Sequence, residues 1–161
     1  MKIRPARESD LAAINAIYNH YVLHSTCTYQ MTPETEEARL AWFRRRSEAH
    51  PVTAAEVDGE IVGWGSLSRF HAREVFARTV ENSVYVRPDR HRRGIGRALL
   101  ADLIERARQL GHHTILAGIS AEQAASITLH EAFGFRKAAH MREVGWKHGM
   151  WLDLVVLQLP L

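Results

Sequence analysis

The chain has 161 residues, 46% of them hydrophobic, which is the size of one domain able to bury a core without staples. Cys27 is the only cysteine, and neither a signal-peptide core nor a run of ~20 apolar residues is present. That excludes a disulfide framework, a cysteine-based zinc site and a helical membrane span, and leaves a soluble cytoplasmic protein as the expectation. The formal net charge of +3 is mild and acids interrupt most of the basic residues, which argues against a nucleic-acid-binding face.

Lys2 to Ala6 reads as a short strand. Ser9 then stands as a cap before Leu11, Ile14, Ile17, Tyr18, Tyr21 and Val22, whose helical spacing predicts an amphipathic helix over residues 10–23. After a polar loop over 25–33, residues 34–48 place acids early and arginines late, as the dipole of a second helix favours, and Pro51 ends it. Arg44, Arg45 and Arg46 on that helix read as a solvated face. Residues 52–57 and 60–67 flank Asp58-Gly59, a strong hairpin signal. A further strand is predicted over 79–86. The apolar face Ile95, Leu99, Leu100, Leu103, Ile104, Ala107 and Leu110 marks a helix that Gly111 closes. A strand over 114–119, a helix over 122–133 closed by Gly134, and strands over 135–144 and 150–159 around a turn with Gly145 and Gly149 complete the chain. The order β-α-α-β-β-β-α-β-α-β-β, with a helix between two strands in a hairpin-rich chain, predicts one mixed α/β domain spanning residues 1–161.

The most informative stretch runs from Val84 to Leu100. A strand breaks at Pro88, passes through arginines and the two glycines Gly94 and Gly96, and enters the long helix. Glycines let the backbone approach a ligand, and the first helical N–H groups lack intrahelical partners and sit at the positive end of the helix dipole. Such a turn suits two linked phosphates held without a metal.

With that turn between strand and helix, the chain resembles the GNAT superfamily of acyl-CoA-dependent N-acetyltransferases. The family pattern Gln/Arg-x-x-Gly-x-Gly/Ala is met by His91-Arg92-Arg93-Gly94-Ile95-Gly96 except at its first position. Four further segments resemble the phosphinothricin and methionine sulfone/sulfoximine N-acetyltransferase branch: Ile17 to His20, Thr79 to Val86, Ala124 to Glu131 and Trp151 to Leu154. The resemblance implies the GNAT fold, a mixed central sheet of about seven strands with four helices. It also implies acetyl transfer from acetyl-CoA to the α-amino group of a small amino-acid analogue by direct attack in a ternary complex, on a homodimer. A GNAT enzyme for another amine (a protein N-terminus, polyamine or antibiotic) and a non-catalytic acyl-CoA-binding regulator are the alternative readings.

The resemblance assigns site residues one by one. Backbone groups of Val84, Tyr85 and Val86 would pair with the pantetheine arm. Those of Arg92, Arg93, Gly94, Ile95, Gly96 and Arg97 would hold the diphosphate, with Gln123 standing where the branch has an asparagine that contacts the coenzyme. Glu81 is the expected proton acceptor, because an amine must be neutral to attack; holding the substrate ammonium is its other reading. His130 is either the acid that protonates the leaving thiolate or a packing and hydrogen-bonding residue. Strand alternation puts Glu81, Ser83 and Tyr85 on one face and Val80, Asn82, Val84 and Val86 on the other, unless the bulge usual in the family intervenes. Asn82, Ser83 and the loop residues His71, Ala72 and Arg73 are expected to touch the acceptor, Arg73 by gripping a carboxylate or phosphinate. His71, Phe76, His148 and Met150 depart from the branch. The histidines lack paired metal-ligand spacing, so no metal is expected. Cys27 lies far in sequence from these segments, with no evident base partner.

Overall fold

The computed structural model describes residues 1–161. Seven strands form one sheet: β1 (Lys2–Pro5), β2 (Val52–Val57), β3 (Glu60–Arg69), β4 (Thr79–Val86), β5 (Thr114–Ser120), β6 (Arg136–Lys147) and β7 (Met150–Pro160). Four helices accompany them: α1 (Leu11–His24), α2 (Glu36–Arg44), α3 (Ile95–Gln109) and α4 (Ala124–Glu131). The strand order is β1-β2-β3-β4-β5-β7-β6, antiparallel throughout except between β4 and β5, whose connection carries α3. This is the mixed α/β sheet that the resemblance implies.

The predicted periodicities translate into two covered faces. Leu100, Leu103, Ile104 and Ala107 of α3 pack with Leu67, Val80, Ile115 and Leu157 in the main core. On the other face Leu11, Ile14 and Ile17 of α1 pack with Val52 and Trp64. Close seating of α3 relies on small residues in β3: a Cβ added to Gly63 would lie 2.9 Å from the Tyr85 carbonyl, and one on Gly65 2.9 Å from the Leu103 side chain.

Several boundaries differ from the sequence reading. Ser9 falls in a 3-10 turn over Glu8–Asp10 and caps nothing. Asp10 instead accepts from the Arg7 N–H and from the Arg4 guanidinium, both at 2.7 Å. The second helix shrinks to Glu36–Arg44 because Thr35 caps it, its hydroxyl accepting from the Ala38 N–H at 3.1 Å. Arg44 is solvated and pairs with Glu8, but Arg46 is half-buried: its guanidinium donates to the carbonyls of His50 and Leu67 and lies over the Trp42 ring. Gly145 sits inside β6, beside an irregularity in its register with β7, and only His148 and Gly149 make the turn.

Candidate active site

The site begins where β4 and β5 part. They pair only from Thr79 to Glu81 and from Thr114 to Leu116. Beyond that point β4 continues along β3 to Val86, and β5 continues along β7 to Ser120. No register shift interrupts the β3–β4 ladder, so the bulge expected in β4 is absent; divergence from β5 does the same work of freeing backbone groups. The Arg87 N–H donates to the Val62 carbonyl across β3. Because backbone groups alternate sides along a strand, those of Asn82, Val84 and Val86 face into the wedge.

At the wide end of the wedge stands the N-terminus of α3. Gly94 precedes it with φ 77°, and no atom lies within 4 Å of where its Cβ would be. Arg92 also has a left-handed backbone, φ 59°, which costs about 1 kcal/mol for a residue with a side chain. The first intrahelical bond runs from the Ala98 N–H to the Gly94 carbonyl. The N–H groups of Ile95, Gly96 and Arg97 therefore point outward as donors. Arg87 and Arg90 are drawn off by Asp89 and Glu60, whereas Arg92 has no acidic partner and Arg97 lies over the Phe133 ring.

The wedge and the helix end share one cavity of about 480 Å³. Its lining includes Asn82, Ser83, Val84, Tyr85, Val86, Arg92, Gly94, Ile95, Gly96, Arg97, Gln123 and His130. Gln123 is anchored by donating to the Thr26 hydroxyl at 3.0 Å. Arg93, Glu81 and the loop His71-Ala72-Arg73 lie outside that lining. Tyr21, Cys27 and His91 also belong to it; His91 opens the glycine motif, whereas no sequence signal points to Tyr21 or Cys27. Tyr21 reads as one more apolar position of α1, and Cys27 lies in a loop with no pattern. Burial pushes the Cys27 thiol above its ordinary value, so it is not a thiolate.

Two titratable side chains mark opposite faces of β4. His130, 4% exposed, has Nδ1 2.8 Å from the Ser126 carbonyl, which requires Nδ1–H to donate. Its Nε2 then accepts from the Asn82 amide at 2.9 Å, and burial holds the imidazole pKa below its ordinary value. His130 is thus a neutral ring whose two nitrogens are both engaged. Glu81 stands on the other face, at the last residue that pairs with β5 and opposite Ser68 of β3. Desolvation by its surroundings raises its carboxyl pKa, the direction a proton acceptor needs.

The 70–76 loop is exposed. Arg69, opposite Val80, donates to the His71 carbonyl at 2.9 Å and to the Ala72 carbonyl at 2.7 Å, so the loop root lies beside Glu81. Phe76 packs on His71 and Phe70 with ring centroids 5.0 and 5.7 Å apart. No group of three His, Cys, Asp or Glu side chains is assembled for a metal, and no helix is long and apolar enough to cross a membrane.

A sheet that splits beside a glycine-led helix end defines an acyltransferase-like site, and the comparisons agree. Residues 14–135 match the acetyltransferase (GNAT) family. The L-methionine sulfoximine/L-methionine sulfone acetyltransferase of Salmonella typhimurium is 43% identical, with 100% of this chain and 95% of that protein aligned. The crystal structure of ribosomal-protein-alanine N-acetyltransferase from Brucella melitensis superposes with a TM-score of 0.97 at 42% identity, covering 100% of both chains. That of a GNAT superfamily phosphinothricin acetyltransferase from Sinorhizobium meliloti, in complex with AcCoA, superposes with a TM-score of 0.95 at 36% identity, covering 99% of this chain and 88% of that one. This chain belongs to the GNAT acetyltransferase family.

Proposed function

We propose that the protein moves the acetyl group of acetyl-CoA to the α-amino group of a small amino-acid analogue of the methionine sulfoximine, methionine sulfone or phosphinothricin type. The observation that carries this reading is the junction of three features: unpaired backbone groups of β4, free N–H groups at the start of α3, and Glu81 where the strands part. The residues fit acetyl-CoA. The Val84 backbone and the Val86 N–H lie along the wedge as partners for a pantetheine arm, and Arg92 to Arg97 offer N–H donors and guanidinium charge for a diphosphate.

Acetyl-CoA supplies an activated acyl carbon and a thiol leaving group. Glu81 takes the proton of the acceptor ammonium, directly or through one water, and the freed amine attacks the acyl carbon. A wedge-facing N–H of β4 stabilises the carbonyl oxygen as charge develops on it. The carbon–sulfur bond then breaks as the nitrogen loses its second proton to solvent, and the thiolate leaves to be protonated by solvent, giving the neutral amide and the free thiol. His130 has no free proton at neutral pH, so it serves by holding the Asn82 amide rather than as an acid. Attack is direct: Cys27 shares the cavity, but its raised pKa does not suit an acyl carrier.

Arg73 and His71, on the loop rooted beside Glu81, form the acceptor subsite, Arg73 meeting the carboxylate or phosphinate. The functional unit is a homodimer, for which β6 and β7 carry exposed Met141, Val144, Trp146, Met150 and Trp151. The work is done in the cytoplasm. A direct test measures free thiol release from acetyl-CoA with methionine sulfoximine, methionine sulfone, phosphinothricin and an alanine-first peptide, the product being weighed by mass spectrometry. Turnover with the free amino-acid analogues and a mass gain of one acetyl group are expected. Turnover with the peptide alone would give the site to protein N-termini, and coenzyme binding without turnover would make the chain a regulator.

A further inference from the structure

We propose that Tyr21 and His91 are positioning residues that pre-form the diphosphate end of the coenzyme site by capping the Val86 carbonyl. The inference rests on the acetyl-CoA reading above. Tyr21 comes from α1 and His91 from the turn that leads into α3, and both line the cavity with Val86. The Tyr21 hydroxyl donates to the Val86 carbonyl at 2.5 Å and lies 2.6 Å from His91 Nε2, which is itself 3.2 Å from the same carbonyl. A phenol has one proton, and here it goes to the carbonyl. His91 Nε2 must then carry a hydrogen and donate it to the Tyr21 oxygen, with a weaker share to Val86. The rings lie parallel within 11°, which fixes the imidazole plane.

The electrostatic reason lies in the direction of the Val86 backbone. Its carbonyl faces the wedge, close to where the free N–H groups of α3 collect an anion, and a bare carbonyl oxygen there would repel a diphosphate. Two donors neutralise that oxygen. The same contacts tie the residue immediately before the left-handed Arg92 to a packed helix, so the unfavourable backbone is set before the coenzyme arrives. His91 occupies the one position where the chain departs from the family's Gln/Arg pattern. A glutamine there also presents an N–H donor, so it can replace the imidazole.

The test compares initial rates with acetyl-CoA and with S-acetylpantetheine, which keeps the thioester but lacks the diphosphate. Tyr21→Phe and His91→Leu are each expected to raise KM for acetyl-CoA about tenfold, the loss of one hydrogen bond near an anion, with kcat within about twofold. Rates with S-acetylpantetheine should stay at the wild-type level, which also shows that the variants are folded. His91→Gln should restore KM to within about threefold. Combining Tyr21→Phe with His91→Leu should add little to either alone. Equal losses with both thioesters, or no change with either, would overturn the proposal. A wild-type protein that turns over neither thioester would instead overturn the acetyl-CoA reading on which it rests.

Discussion

The two halves of the site are built from different materials. On the coenzyme side the donors are main-chain amides held by a sheet and a fifteen-residue helix. On the acceptor side the proposed chemistry falls to the side chains of Glu81 and Arg73 on an open face, with Val75 of the neighbouring loop 82% exposed. Backbone donors tolerate drift in side-chain identity, whereas side-chain donors set which molecule is chosen. On the proposed reading, one half keeps a single cofactor while the other is free to change substrate.

The largest expected effect falls on the acceptor side. Glu81→Gln should lower kcat about a hundredfold while leaving the Kd for acetyl-CoA within about twofold, measured by steady-state rates and calorimetry. Since the Glu81 pKa is raised, the wild-type rate should fall with acid along a limb lying above the ordinary carboxylate value, as the base becomes protonated. Glu81→Gln should lose that limb, which a pH–rate profile reads directly. Next in size, Arg73→Ala should raise the acceptor KM about tenfold without altering the KM for acetyl-CoA, because it removes a charge-assisted contact on one side only.

A smaller effect tests the coenzyme side. Gly94→Ala meets no steric obstacle, yet it forces a side chain into a left-handed backbone at the helix cap. A penalty of about 1 kcal/mol should weaken acetyl-CoA binding about fivefold and leave the acceptor KM unchanged. An equal effect of that variant on both substrates would blur the division between the halves.

The same division decided what could be read from the sequence. Val84 to Leu100 announced its turn because glycine, proline and a helical period are local signals, and backbone recognition needs nothing more. The alternation of Glu81, Ser83 and Tyr85 against Asn82, Val84 and Val86 followed from the two-residue strand period. How β4 would free its amides did not: strand divergence depends on β5, whose Leu116 pairs with Glu81 from 35 residues away, and leaves no mark in the residues themselves. Tyr21 looked like one more core position, and its bond to His91 joins residues 70 apart in sequence. His130 was legible as a site residue, but its neutral, doubly engaged ring required the Ser126 carbonyl and the Asn82 amide in place.

The most direct test of the account is a pair of calorimetric titrations on the wild-type protein, acetyl-CoA in one and methionine sulfoximine in the other. A pre-formed backbone site predicts that acetyl-CoA binds alone, one molecule per chain, and that the acceptor binds measurably more tightly once the coenzyme site is filled. No heat of binding from acetyl-CoA or from coenzyme A would contradict it.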